Sequence, residues 1–281
     1  MSFRSLLAAG LCLAALSGCA NRQAIHTGSI KTAYAYGMEG EQPLATSAPA
    51  KEDTVAWMRT VHPNALAGRT LAVGSLHDIR LREREVVLTF DDGPMPGKTE
   101  KVLDTLDAFG VKATFLMVGQ MAETYPSIAR SVVARGHSIG SHTYRHRNLA
   151  SMSFDSALSE IQRGEKAVQK ATATDAAFFR FPYLSDTRRL RSALTARGEV
   201  IMDVDVDSKD YFKDGPAKVA ERTMAALNRR GRGIILMHDI HKRTATMLPA
   251  MLNELKAQGY KVVALRYKRS RMPEQMIASA E

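Results

Sequence analysis

The sequence predicts an α/β fold in which a largely parallel sheet is covered by helices. Three observations carry this. Between residues 85 and 265, short apolar runs of strand length alternate with longer amphipathic stretches of helical period. Most of the amphipathic stretches stop at a glycine, which relieves the left-handed position that closes a helix. Residues able to do chemistry collect at the carboxyl ends of the apolar runs, where α/β folds place function.

The strand candidates are 86–90, 113–118, 138–141, 177–181, 200–204, 233–237 and 261–265. The helical candidates between them are 100–109, 126–135, 154–171, 187–197, 216–230 and 246–258, stopped in five cases by Gly110, Gly136, Gly198, Gly231 and Gly259. Pro126 and Pro216 open two of them, at the one helical turn where a missing N–H costs nothing. Seven strands in alternation suit either an open sheet or an incomplete barrel. The core domain is assigned to residues 84–268, preceded by an extension at 51–83 that packs on it and followed by a tail at 269–281. Residues 19–50, rich in Ala, Gly, Ser and Thr without an apolar period, are assigned as a linker.

The first eighteen residues read as an export signal. Arg4 supplies the positive end, and the apolar run 6–16 is too short to span a bilayer. The run ends in Leu16-Ser17-Gly18-Cys19, which resembles the lipobox of bacterial lipoproteins, so Cys19 is the expected lipidation site and the membrane an expected partner through that anchor. Ala20 and Asn21 follow, rather than Asp, which by resemblance to Gram-negative lipoprotein sorting favours the outer membrane facing the periplasm over the inner membrane. The only other cysteine, Cys12, lies inside the signal. The remaining chain therefore has no cysteine pair for a disulfide or a thiolate metal site. Net charge is +10, but the cations are scattered over helix faces with no interleaved aromatics for base stacking, so nucleic acid is not an expected partner.

The chemistry-bearing strand ends are specific. Asp91 and Asp92 close the first run and precede Gly93-Pro94, a turn that lets adjacent carboxylates share a site. His142 and His146 are four residues apart, which on a helical turn puts both imidazoles on one face. Asp92, His142 and His146 form a two-His-one-carboxylate set suited to a divalent metal, with zinc first and cobalt, nickel or manganese as alternatives. Such a metal lowers the pKa of bound water and polarises a carbonyl. Asp91 is then free to take a proton, and His238, closing the run 233–237, is placed to give one back. His241 is its rival, and His137 is structural or supports the site from behind.

These residues resemble the NodB-homology polysaccharide deacetylases, carbohydrate esterase family four. The resemblance covers residues 84–267 and five motifs in order: Thr89-Phe90-Asp91-Asp92-Gly93-Pro94, His142 to His146, Arg180-Phe181-Pro182-Tyr183, Asp207-Ser208-Lys209-Asp210-Tyr211 and Leu236-Met237-His238. It implies a distorted (β/α)7-type barrel. It also implies Asp91 as catalytic base, Arg180 as its orienting partner that keeps it ionised, and His238 as a general acid charged at rest. The Pro182-Tyr183 backbone would hold the oxyanion. Asp207, Asp210 and Tyr211 would form a groove wall around the acid and the arginine, and Leu236 would line a pocket for the acetyl methyl. Tyr211 stands where the family usually carries Trp, which leaves the glycan open.

The expected activity is removal of acetyl groups from an N-acetylated, GlcNAc-containing polysaccharide of the cell envelope or surroundings. The alternatives are a non-catalytic glycan-binding lipoprotein on the same fold, an amidase acting on a non-glycan C–N bond, and a glycosidase built on paired carboxylates. The last is disfavoured because Asp91 and Asp92 are too close in sequence to flank a sugar.

Overall fold

Alternation within one strand turns Asp91 to the inside of the sheet. The strands are β1 (Ala67–Val73), β2 (Glu85–Asp91), β3 (Thr114–Met117), β4 (Ser138–Ser141), β5 (Phe178–Phe179), β6 (Val200–Ile201), β7 (Val206–Asp207), β8 (Gly233–His238) and β9 (Lys261–Tyr267). In β2, Val86, Leu88 and Phe90 belong to one apolar cluster, and Val87 belongs to another. Successive side chains point to opposite faces, so Thr89 and Asp91 share the inward face of Val87.

The computed structural model describes residues 65–268. The signal at 1–18, Cys19, the linker 19–50, the start of the extension and the tail 269–281 lie outside the described residues. β2 is flanked by β3 on one edge and β8 on the other, all parallel. The ladder continues from β3 through β4 and β5 to β6, and from β8 to β7. Among the described residues no ladder joins β6 to β7, so the barrel is nearly closed and open at that seam. β9 pairs with the first residues of β2 and carries β1 on its other edge.

The helices are α1 (Thr99–Ala108), α2 (Gly119–Thr124), α3 (Pro126–Ala134), α4 (Phe154–Thr172), α5 (Arg188–Ala196), α6 (Pro216–Arg230) and α7 (Lys242–Ala257). The outer cluster joins the strand faces of Leu88, Phe90, Phe115, Ile139, Ile235 and Met237 to Leu103, Leu106, Val132, Leu227, Leu248 and Leu252 of the covering helices. Phe90 and Phe115 stack at 5.1 Å, and truncating such a buried ring costs about 3–5 kcal/mol. The inner cluster fills the barrel with Val73, Val87, Leu116, Phe178, Val200, Ile234, Val263 and Leu265.

The seven predicted strands are all present, and the (β/α)7-type barrel is the observed architecture. Two strands add to them. β7 is two residues long, too short for a period to register. β1 falls within the predicted extension and is a strand of the same sheet. α7 starts a turn earlier than predicted, because Lys242 and Arg243 carry no apolar signal although their backbone is helical.

Candidate active site

Asp91 ends β2 on the inward face and is almost fully buried. On a regular strand Asp92 would point the other way. Its φ of 79° puts it in the left-handed region, which costs a non-glycine residue of order 1–3 kcal/mol and which Asp tolerates better than most. The turn that lets both carboxylates serve one site thus begins at Asp92 itself, one residue before the predicted Gly93-Pro94.

The histidines arrive differently from the prediction. Residues 142–146 form a loop, not a helical turn. Thr143 (φ 68°) and His146 (φ 54°) are both left-handed, and the His146 N–H donates to Thr143 Oγ1 at 3.0 Å. The tight loop brings the two rings within 4.8 Å. It lies hard against α4 at Gly164, where a Cβ would come within 2.4 Å of the Thr143 carbonyl carbon. His142 Nδ1 is 2.8 Å from the Arg180 carbonyl oxygen. A carbonyl only accepts, so Nδ1 carries the proton and Nε2 presents a lone pair. Burial pushes the His142 pKa down to about 3, which keeps the ring neutral, as a ligand must be.

Asp92, His142 and His146 converge, each offering one ligand atom within 4.8 Å of the others. Asp92 Oδ1 lies 3.6 Å from His142 Nε2 and 3.4 Å from His146 Nε2. Two ligands about 2.1 Å from a tetrahedral ion stand about 3.4 Å apart. Asp92 Oδ1 is also buried with no hydrogen-bond donor. A buried carboxylate oxygen without a donor, facing an imidazole nitrogen that has given its proton to the other side, is a poor arrangement for a protein alone and a good one for a divalent cation. The residues fit that group.

Asp91 Oδ2 is 3.7 Å from His142 Nε2, while Oδ1 accepts from Arg180 Nη1 at 2.7 Å. Arg180, buried inside the barrel, also donates to Thr89 Oγ1 at 2.8 Å and to the Met202 carbonyl at 3.0 Å. Burial pushes the Asp91 pKa up, and Arg180 and His238 pull it back without overcoming that. Arg180 thus favours the ionised carboxylate, in the sense expected of it, while the site that lets the guanidinium grip the carboxylate also strips it of water.

Across the site, His238 Nδ1 meets Asp210 Oδ1 at 2.6 Å. Asp210 Oδ2 accepts from the His238 N–H at 2.8 Å and from Thr244 Oγ1. Burial alone would lower the His238 pKa, but the Asp210 bond and the nearby carboxylates raise it to about 9. Asp210 moves the other way: burial raises it, and its bonds to His238 and Thr244 outweigh that. Asp207 is separate. It accepts from the Tyr211 hydroxyl at 2.9 Å and from the Lys209 N–H. The predicted wall around both acid and arginine is thus divided. Asp210 serves His238, whereas Arg180 reaches the carbonyls of Met202 and Asp203 instead.

Among the described residues, the exposed large apolar side chains are Tyr183, Leu184, Tyr211 and Phe212. Tyr183 sets its ring edge-on to His146 at 4.7 Å, and Tyr211 does so to His238 at 5.6 Å. The site therefore has an exposed apolar lip at each of these two histidines. Pro182 lies buried before the Tyr183 lip, and Leu236 pairs in register with both Thr89 and Asp207. His241 caps α7 with its ring 5.8 Å from that of His238. His137 is buried behind the strands, accepts from the Ala113 N–H and is pushed by burial down to about 4.

Asp239 was missed by the sequence reading. It is buried, and burial pushes its pKa to about 7. Its carboxylate accepts from the Gly93 N–H and the Thr99 hydroxyl. The available signal was an acid directly after His238 and a glycine directly after Asp92.

Parallel barrel, left-handed Asp92 turn and two-His ligand set define an α/β-barrel protein with a candidate metal-assisted acid–base centre at its strand ends. The polysaccharide deacetylase family model matches residues 78–199. A chitin deacetylase of Colletotrichum lindemuthianum is 30% identical over 75% of this chain and 90% of its own length. A peptidoglycan-N-acetylglucosamine deacetylase of Listeria monocytogenes is 34% identical over 65% of this chain, and the chain spans 38% of the length of that relative. The solved structure of a peptidoglycan deacetylase from Bdellovibrio bacteriovorus superposes with a TM-score of 0.64 at 31% identity, covering 74% of this chain and 57% of that one. The chain belongs to the polysaccharide deacetylase family.

Proposed function

We propose that this chain removes acetyl groups from an N-acetylated, GlcNAc-containing polysaccharide of the cell envelope or its surroundings, using a divalent cation, zinc first, held by Asp92, His142 and His146. The observation that carries the reading is the placement of Asp91. Its Oδ2 stands beside the ligand set while Arg180 holds Oδ1, and a charged His238 pairs in register with it from the neighbouring strand. The names of the relatives, peptidoglycan and chitin deacetylases, support the substrate class. So do the two apolar lips, which suit the flat C–H faces of pyranose rings.

Held by Asp92, His142 and His146, a divalent cation would lower the pKa of water, polarise the acyl oxygen and favour the ionised form of Asp91. Asp91 Oδ2 accepts the proton as water oxygen bonds to the acyl carbon. The Tyr183 N–H contributes to holding the resulting oxyanion. His238, its Nδ1–H bound by Asp210, presents Nε2–H and donates that proton to the departing nitrogen as the C–N bond breaks. Acetate and a free amine result.

For location, we infer export and lipid anchoring through Cys19, supported by the apolar run 6–16 and the residues that end it. Among the described residues no helix is long and apolar enough to cross a membrane. Incorporation of labelled palmitate that survives Cys19→Ser would defeat the anchor.

Acetate release from a panel of acetylated glycans, with chelator and with zinc, cobalt, nickel or manganese restored, tests the activity. Release that stops with chelator and returns with metal is expected. Release indifferent to chelator, or new reducing ends in place of acetate, would overturn the reading.

A further inference from the structure

A buried carboxylate outside the ligand set holds the turn on which that set depends. Asp239 follows His238 at the end of β8, and among the described residues no cation pairs with it. Oδ1 accepts from the Gly93 N–H at 3.0 Å, and Oδ2 accepts from Thr99 Oγ1 at 2.7 Å. Thr99 Oγ1 in turn accepts from the Met95 N–H at 2.7 Å. The Asp239 N–H donates to the Asp91 carbonyl at 3.3 Å, and the Val118 N–H donates to the Gly93 carbonyl at 3.1 Å. The segment from Gly93 to Thr99 is thereby tied at both ends to one side chain, and the Asp91 carbonyl before it to the backbone of the same residue. The fit leaves no room for a larger residue, since a Cβ on Gly93 would lie 2.1 Å from Asp239 Oδ2.

We propose that Asp239 is a positioning residue that holds the Asp92–Gly93 backbone in its left-handed turn and so aims the Asp92 carboxylate at His142 and His146. The physical reason is the unfavourable φ of 79° at Asp92. Released, that residue relaxes towards extended backbone, where strand alternation turns its side chain away from Asp91. The Gly93 N–H bond, one residue on, opposes that relaxation, and burial protects the bond from competing water. The inference rests on Asp92 being a metal ligand.

Cobalt(II) binding, followed by its visible absorption, and zinc binding, followed by competition with a chelating dye, test it on the full chain. Asp239→Ala is expected to weaken both by about tenfold or more, the range seen when groups supporting metal ligands are lost, and to change the cobalt spectrum. Asp239→Asn keeps an acceptor for Gly93 and stays within about threefold of the parent. Thr99→Val, which leaves the Gly93 bond in place, weakens binding by a smaller factor and serves where Asp239→Ala does not fold. Unchanged cobalt affinity and spectrum in Asp239→Ala, or in Thr99→Val where only that variant folds, overturns the proposal. So does an Asn variant as weak as the Ala one. His142→Ala is the control: if it too binds cobalt as tightly as the parent, the ligand assignment has failed instead.

Discussion

Asp210 and His238 meet at 2.6 Å between Oδ1 and Nδ1, and this contact keeps the imidazole charged at neutral pH. The His238 pKa, raised to about 9 from 6.5, sets the alkaline limit of an acid that must hold its proton. In Asp210→Asn that limit falls towards 6.5. The pH profile of kcat/KM, which reports the free protein, should show its alkaline limb move down by up to about two pH units, with the acid limb little changed.

The same pair makes stability depend on pH in a defined direction. The folded pKa of His238 lies above its unfolded value, so its contribution is whole below about 6.5 and fades as pH rises through about 9. Asp210 is held below its usual 3.8, so its contribution is whole above that and fades as pH falls through the folded value. Thermal melts of the parent against Asp210→Asn should differ most between about pH 4 and 6.5. A difference that instead grew above pH 9 would contradict the assignment.

Asp91→Asn keeps the shape of the site and removes the proton acceptor. Turnover should fall by about 10²–10⁴, the usual contribution of acid–base groups, while zinc affinity stays close to that of the parent. Steady-state kinetics with metal content measured on the same samples checks both halves.

Arg180 and Asp91 are buried together, so removing one charge strands the other. Arg180→Met should destabilise the fold by about 3–5 kcal/mol in denaturant titrations. Asp91→Asn placed in that background should recover part of the loss, because the stranded carboxylate is then gone. A double variant that merely adds the two single costs would show that the pair is not coupled.

Tyr211 is exposed and stands against His238 with its hydroxyl on Asp207. Tyr211→Ala should raise KM for oligomeric substrate several-fold and leave kcat within about threefold, the pattern of lost uniform binding. Tyr211→Phe, which keeps the ring, should change KM less.

Much of this centre was legible before the structure. The carboxyl ends of the apolar runs marked Asp91, Arg180 and His238, because a barrel built from parallel strands gathers its polar groups at one end. The route of the histidine pair was not legible. A spacing of four predicts a helical turn, whereas the chain uses left-handed Thr143 and His146, and non-glycine residues give no compositional sign of positive φ. Asp239 escaped for a related reason. No local pattern marks the acid that follows His238, and only the fold shows that it fills the space a side chain on Gly93 would need. The β7 strand is too short to carry a period, and the division of labour between Asp207 and Asp210 depends on β8, whose register with β7 no local pattern reveals.

The ligand assignment is tested most directly by diffraction from crystals of this protein soaked in zinc, recorded at the zinc absorption edge. The account predicts one strong anomalous peak about 2.0–2.2 Å from Asp92 Oδ1, His142 Nε2 and His146 Nε2, lost in His142→Ala. A peak held by other side chains, or no peak between those three, would contradict it.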